Sequence, residues 1–149
     1  MEDSSASTRG QVGHIAHPHY LADLLVGVAC ADGKLDIAEA NTIAQLMRTA
    51  VKAKLDMHVI RDLVRESKER IAADGIDAVL VVAGRQLAAA GQLELALGMA
   101  IDVAEASYGI NEQERQTLHL CALGGGIKPS EVDHLIARTR GETDSLSNH

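Results

Sequence analysis

The sequence predicts an all-α protein of about seven helices, packed as a single bundle-like domain. The chain has 149 residues, a length typical of one domain. Phe and Trp are absent and only two tyrosines are present, so the core must be aliphatic, and Ala and Leu favour helix at little entropic cost. Apolar residues also recur at helical spacing in successive segments, which are separated by capping residues and glycines.

The first three helices are predicted from residue 18 onward. Helix 1 begins at Pro18, since proline suits the first helical position, and it is apolar around most of its circumference. Helix 2 follows Asp36 and presents apolar residues at helical spacing. Helix 3 follows Asp56, and one of its faces is a run of charged residues, which predicts a solvated surface helix.

Four more helices are predicted in the second part of the chain. The stretch 76–84 (IDAVLVVAG) contains valines that favour strand, but no second strand candidate lies nearby. It is therefore assigned to helix 4, which runs to about Ala90, with Gly91 as a break. Helix 5 spans about 92–107. Helix 6 follows Asn111 and ends at a run of three glycines, and helix 7 follows Ser130.

Helices 1 and 5 are predicted to be the two central helices. Each has only a narrow stripe of polar or small residues, which on helix 1 consists of His19, Asp23 and Gly27. A helix that is apolar on its other sides is covered by neighbours on several sides. Gly27 and Gly98 are expected to let these two helices cross at a short distance.

The two ends of the chain are predicted to be flexible. Residues 1–17 form a polar arm and residues 141–149 a polar tail, on either side of a helical domain at 18–140. The arm has no apolar stretch typical of a signal peptide, and no run approaches the roughly 20 apolar residues that cross a bilayer. The sequence therefore predicts a cytoplasmic protein without a transmembrane segment.

Charge and cysteine content narrow the function classes. The net charge is −7 and aromatic residues are scarce, which argues against a nucleic-acid partner, because such binding draws on Lys, Arg and aromatic platforms. An acidic balance suits cations or basic protein surfaces. Cys30 and Cys121 lie in apolar runs and are interpreted as small buried hydrophobes in a reducing compartment.

Two segments of the chain resemble each other at a constant offset. VACADGKLDIAEANTIAQL (28–46) and VAEASYGINEQERQTLHLC (103–121) are 75 positions apart. After a length difference of three residues, Ile60 matches Val132. The pattern predicts an internal pseudo-twofold duplication, in which two helix–turn–helix–helix units, joined by helix 4, bury each other's apolar faces.

The turn in each unit carries the residues of a helix cap. Asp36 and Glu39 in the first copy, like Asn111 and Glu114 in the second, combine an N-cap residue with an acid at the third helical position. In such a capping box the N-cap side chain accepts from an orphan backbone N–H and the acid reaches back to the N-cap N–H.

The first turn also matches the second half of an EF-hand calcium loop. With Gly33 at loop position 6, Glu39 falls at position 12, where the calcium loop has its bidentate acid. Positions 1 and 3 are then Val28 and Cys30, which offer no side-chain oxygen. Two interpretations stay open: the acids only cap helices, or they form a weak Ca²⁺ or Mg²⁺ site that acids from elsewhere in the fold complete.

The motif ADGKLDIAE, which follows an apolar helix and has a degenerate second copy, resembles the TerB-like domain of tellurite-resistance proteins. The N-terminal domain of the DjlA co-chaperone is similar, and the resemblance covers about 18–140. It implies an all-helical fold, no known catalytic activity, association with membrane-linked stress-response complexes in bacteria, and an acidic cluster that binds a divalent cation. The matching acids are Asp32, Asp36, Glu39 and, in the second copy, Glu114.

The predicted function is a non-catalytic binding or scaffold module with protein partners, a possible membrane-associated complex among them, and with Ca²⁺ or Mg²⁺ as the candidate cation. One alternative stays open, a small metal-handling or redox protein that uses His14, His17 and His19 together with a cysteine, because imidazole suits transition metals. The turn at 124–126 precedes a helix, as phosphate cradles do, but no strand leads into it, so it is interpreted as a plain turn.

Overall fold

The computed structural model describes residues 18–31, 37–50, 56–105 and 110–148, and every regular element in these ranges is an α-helix. The all-α prediction is therefore confirmed, and the valine-rich stretch 76–84 is helical. In the described ranges no helix combines the length and the apolar character needed to cross a membrane. The helices are α1 Pro18–Ala29, α2 Ile37–Ala50, α3 Met57–Asp74, α4 Ile76–Ala89, α5 Leu93–Glu105, α6 Glu112–Gly124 and α7 Pro129–Asn148.

The bounds of α7 differ from the prediction at both ends. The helix begins at Pro129 instead of after Ser130, because the fixed φ of proline suits the first helical position. It runs to Asn148, through most of the segment 141–149 that the sequence predicts to be a tail. The glycine at 141 costs about 1 kcal/mol relative to alanine, which does not stop a helix. The predicted arm at 1–17 lies outside the described residues.

Local chemistry sets several of the helix ends. Oδ1 of Asp56 accepts a hydrogen bond from the backbone N–H of Val59 at 3.0 Å, so the predicted N-cap of α3 is confirmed. Gly75 follows α3 with a φ of 93°, a left-handed value that favours glycine, and α4 begins one residue later. Gly91 has a φ of 73° just after α4, where the sequence predicts the break.

The core is centred on α1, which is buried from Leu21 to Ala29 and packs against α2, α3, α4, α5 and α6. Most of α5 is buried as well, so the interior position predicted for both helices is confirmed. The predicted role of their glycines is wrong. A Cβ on Gly27 would lie 2.6 Å from Cδ2 of Leu80 on α4, and a Cβ on Gly98 would meet nothing within 4 Å. Gly27 therefore makes room for α4, and Gly98 lies at no crossing.

The most extensive helix pair is α4 with α6, and it is the glycines of these helices that allow a close approach. A Cβ on Gly84 would overlap the carbonyl oxygen of Cys121, and a Cβ on Gly124 would overlap the carbonyl oxygen of Val81. The run of glycines that begins at Gly124, the last residue of α6, thus ends the helix and also lets its backbone lie directly against α4.

The helix starts recur at the offsets seen in the sequence. Pro18 and Leu93 are 75 positions apart, and Met57 and Pro129 are 72 apart. The second helix of each unit follows the same rule, because α2 and α6 also begin 75 positions apart, at residues 37 and 112. This recurrence concerns helix bounds only, and the pseudo-twofold duplication itself stays a prediction.

Candidate functional site

The four acids of the predicted cation site fall into two groups. Asp32 and Asp36 lie outside the described residues. Glu39 lies in the first turn of α2 and is 5% exposed, and Glu114, 75 positions later in the first turn of α6, is 2% exposed. Both described acids are therefore removed from bulk solvent at corresponding helix starts.

Glu114 has a structural role that the sequence predicts. Its Oε1 accepts a hydrogen bond from the backbone N–H of Asn111 at 3.0 Å, and Oδ1 of Asn111 accepts from the N–H of Glu114 at 2.8 Å. The capping box of α6 is therefore confirmed, and one carboxylate oxygen of Glu114 is engaged by it.

In the described ranges, no three His, Cys, Asp or Glu side chains form a group that could hold a metal ion. Glu112, in the first turn of α6, accepts a hydrogen bond from Nε2 of Gln116 at 3.2 Å. The cation site stays a prediction.

One of the two cysteines available to the metal-handling or redox alternative, Cys121, lies in the core. Burial raises the pKa of the Cys121 thiol to about 12. Because the thiolate is the reactive form, Cys121 is inert near neutral pH. Cys30 is half-buried at the end of α1. His14 and His17 lie outside the described residues, and His19 packs beside Tyr20 with ring centroids 4.0 Å apart.

A partly buried ion pair, which the sequence alone does not predict, ties α1 to α3. Asp23 on α1 is 2% exposed, and its Oδ1 accepts hydrogen bonds from Oγ of Ser67 and from the guanidinium of Arg70, both at 2.7 Å. Oδ2 accepts from Nε of Arg70 at 3.3 Å. These bonds raise the pKa of Arg70 above its ordinary value. A single acid in an apolar helix is the only local signal of this network.

A small cavity of about 310 Å³ lies beside this ion pair, between α1, α3 and α4. Asp23, its buried charged residue, already accepts three hydrogen bonds, so its carboxylate serves the packing of the two helices. Val79 and Val82 of α4 line another side of the cavity.

A larger space, of about 610 Å³, is an open groove between α2 and α3, which we call the α2–α3 groove. The apolar residues that line the groove recur at helical spacing on the facing sides of the two helices. The groove therefore follows α3 along most of the length of this helix. These apolar residues are Ala40 and Ala44 of α2 and Met57, Ile60, Val64 and Ala72 of α3.

The rim of the α2–α3 groove is mainly basic. It carries Arg61, Arg65 and Lys68, with Glu69 as the one acid. NH1 of Arg65 lies 2.9 Å from a carboxylate oxygen of Asp62, and its Nε lies 3.9 Å from Glu69. Arg61 and Lys68 form no ion pair with any residue in the described part of the chain. Two exposed positive charges are thus left at the rim.

Apolar surface extends beyond the groove itself. Ile37 is 79% exposed at the start of α2, one turn before Asn41, which lines the groove. Residues four apart lie on the same face of a helix, so Ile37 lies on the face of α2 that carries Asn41. Met57, at the start of α3, is exposed as well.

The corresponding helix pair in the second half, α6 and α7, is joined by a polar bridge. NH1 of Arg115 donates a hydrogen bond to Oδ1 of Asp133 at 2.9 Å, and Nε2 of His119 lies 2.9 Å from the same oxygen. The contact with His119, followed by that with Arg115, lowers the pKa of Asp133.

No protein-family model, no curated protein and no solved structure matches this chain. The resemblance to the TerB-like domain thus depends on the sequence motif alone. In the part of the chain that the structure describes, the fold and the site define an all-helical domain with an open, basic-rimmed apolar groove.

Proposed function

We propose that this protein is a non-catalytic binding module that docks a helical segment of a partner protein. The observation that carries the proposal is the α2–α3 groove, with its apolar lining and charged rim. Helical domains commonly bind an amphipathic helix in such a groove, where apolar anchors three or four positions apart contact the lining.

The dimensions of the groove fit a short helix. Its lining on α3 runs from Met57 to Ala72, which at 1.5 Å per residue is about 22 Å. A helix of about 15 residues has this length. The exposure of Ile37 and Met57 favours the same function, because contiguous apolar surface on a protein commonly marks an interaction site.

The TerB-like resemblance supports the non-catalytic part of the proposal and adds a role in a bacterial stress response. A weak Ca²⁺ or Mg²⁺ site at Asp32, Asp36 and Glu39, with Glu114 from the second copy, is a further part of it. Crowded carboxylates repel one another, so a bound cation would stabilise the folded state by mass action.

A peptide selection tests the proposal. A library of helix-forming peptides of about 15 residues, with a fixed apolar stripe and randomised polar positions, is selected against the full chain. Binders are then mapped by methyl NMR. We expect the selected peptides to shift the methyl resonances of Ala44, Ile60 and Val64, which line the groove.

Two adjacent alanines provide matched variants. Ala72 lines the groove and Ala73 does not, and both are exposed. Ala72→Trp should weaken the selected peptides about tenfold by filling one end of the groove, and Ala73→Trp should leave their affinity unchanged. Peptides that map to another surface, or a library without binders, would refute the proposed function.

A further inference from the structure

We infer that the occupant of the α2–α3 groove is an acidic amphipathic helix, recognised on the rim by Arg61 and Lys68. This inference rests on the proposed function and specifies the chemistry of its partner. The chain has a net charge of −7, yet the groove is lined by three basic residues and one acidic residue. The charge of this site is therefore opposite in sign to that of the whole protein.

The two basic residues without an ion pair define a spacing. Arg65 is balanced by Asp62 and Glu69, whereas Arg61 and Lys68 have no ionic partner among the described residues. They lie seven positions apart on α3, which is two helical turns or about 10.5 Å. A partner helix lying along the groove would face both with carboxylates that are themselves about seven positions apart.

The apolar part of the groove requires side chains that reach inward. Ile60 is almost completely buried at its floor, and Ala40 and Ala44 are half-buried on the opposite wall. Short side chains on α2 leave the space into which leucine-sized anchors of a partner helix can insert. A flat anionic membrane surface would contact the rim and not this concave floor.

A second copy of the chain fits less well than an acidic helix. In a twofold dimer the same patch meets itself, so Arg61 and Lys68 of the two copies would be brought together. Like charges that face each other across an interface are unfavourable. A separate acidic segment satisfies the apolar floor and the basic rim at once.

The test uses three synthetic peptides with the same leucine stripe and with flanking positions that are all Glu, all Gln or all Lys. Their affinities for the full chain are measured by calorimetry at low and at physiological salt. We expect the Glu peptide to bind about tenfold more tightly than the Gln peptide, and the Lys peptide to bind most weakly. The differences should shrink with salt, because the rim charges are exposed.

Charge-reversal variants assign the effect to the rim. Arg61→Glu/Lys68→Glu should invert the order of the three peptides. Arg85→Glu/Lys128→Glu is the matched control, since these residues are also exposed and lie away from the groove, and it should preserve the parental order. Should the first pair fail to fold by circular dichroism, Arg61→Gln/Lys68→Gln must still abolish the preference for Glu.

The outcomes separate this inference from the proposed function. Equal binding of all three peptides in the groove would overturn the acidic specificity and leave the groove function intact, whereas the absence of any binding would refute both. Sedimentation that shows a dimer abolished by Ala72→Trp and preserved in Ala73→Trp would assign the face to a second copy. Binding to phosphatidylserine vesicles with the same variant dependence, in the absence of peptide binding, would assign it to a membrane.

Discussion

The helix pairs α2–α3 and α6–α7 begin at corresponding places in the two halves of the chain, but they differ in what lies between the helices. Arg115, His119 and Asp133 bridge α6 to α7 with hydrogen bonds. At the positions 75 or 72 residues earlier, the first half has no bridge. These positions are Ala40, Ala44 and Arg61.

The two helix pairs thus differ in three side chains. Two alanines on α2 leave the space that Arg115 and His119 fill on α6. Arg61 has the opposite sign to Asp133 and finds no partner within the described chain. Of the helix pairs in contact, α2 and α3 also make the least extensive one, so the groove is a consequence of small residues and an unmatched charge.

The largest loss of stability should come from a substitution between α4 and α6, the most closely packed helix pair, which contrasts most with the open α2–α3 groove. Gly84→Val places a side chain against the carbonyl of Cys121, where only backbone movement can relieve the overlap. We expect a loss of about 3 kcal/mol in the free energy of unfolding, measured by urea denaturation. Gly98→Val, at a position with open space, is the control and should cost less than about 1 kcal/mol. Equal costs would contradict the packing described for α4 and α6.

The second prediction transfers the bridge of the second half into the groove. Ala40→Arg/Ala44→His/Arg61→Asp should fill the space and remove one rim charge, so the Glu-flanked peptide should lose about tenfold or more in affinity. The free energy of unfolding should change by only about 1 kcal/mol or less, because such bridges are exposed. Parental peptide affinity in a folded triple variant would show that the groove is not the binding site.

The helices and their caps follow from local sequence, and the contacts between helices do not. Asp56 and the pair Asn111 and Glu114 cap α3 and α6 as predicted, since capping involves residues three positions apart. Asp23 finds Ser67 44 positions away in the chain, and no local pattern indicates such a partner.

Glycines illustrate the same limit. A glycine in an apolar helix indicates a possible close approach but not which helix approaches. The sequence makes Gly27 and Gly98 equal candidates, yet of the two only Gly27 is at a close approach, where an added Cβ would meet Leu80 of α4. The α2–α3 groove cannot be predicted from the sequence either, because the alanines that leave the space open are ordinary residues of an amphipathic helix.

The third prediction compares the acidic turn of the first copy with its degenerate counterpart. In the second copy Glu114 is engaged by its cap, and Asn111 stands where the first copy has Asp36. We expect Ca²⁺ or Mg²⁺ at ten times its dissociation constant to stabilise the parent by about 1.4 kcal/mol. Asp32→Asn/Asp36→Asn should abolish the response, and Asn at 36 can still cap α2. A melting temperature that does not change with either cation would contradict the cation site and favour the interpretation that these acids only cap helices.

The smallest effect should come from the bridge itself and should depend on pH. Contacts with His119 and then Arg115 hold the pKa of Asp133 below its ordinary value, so the bridge stabilises the folded state above about pH 4, the ordinary range of an aspartate. That contribution should disappear as the pH falls through the lowered pKa of the folded state.

Asp133 is 49% exposed, so solvent screening limits the effect on the free energy of unfolding to about 0.5 kcal/mol. The free energies of unfolding of the parent and of Asp133→Asn, measured by urea denaturation, should therefore differ at pH 7 and converge once the pH is below the lowered pKa of Asp133. His119→Gln should remove the main cause of the lowered pKa of Asp133 and reproduce part of the loss of stability seen in Asp133→Asn. A difference in stability between the parent and Asp133→Asn that persists unchanged in acid would show that Asp133 acts through packing and not through its charge.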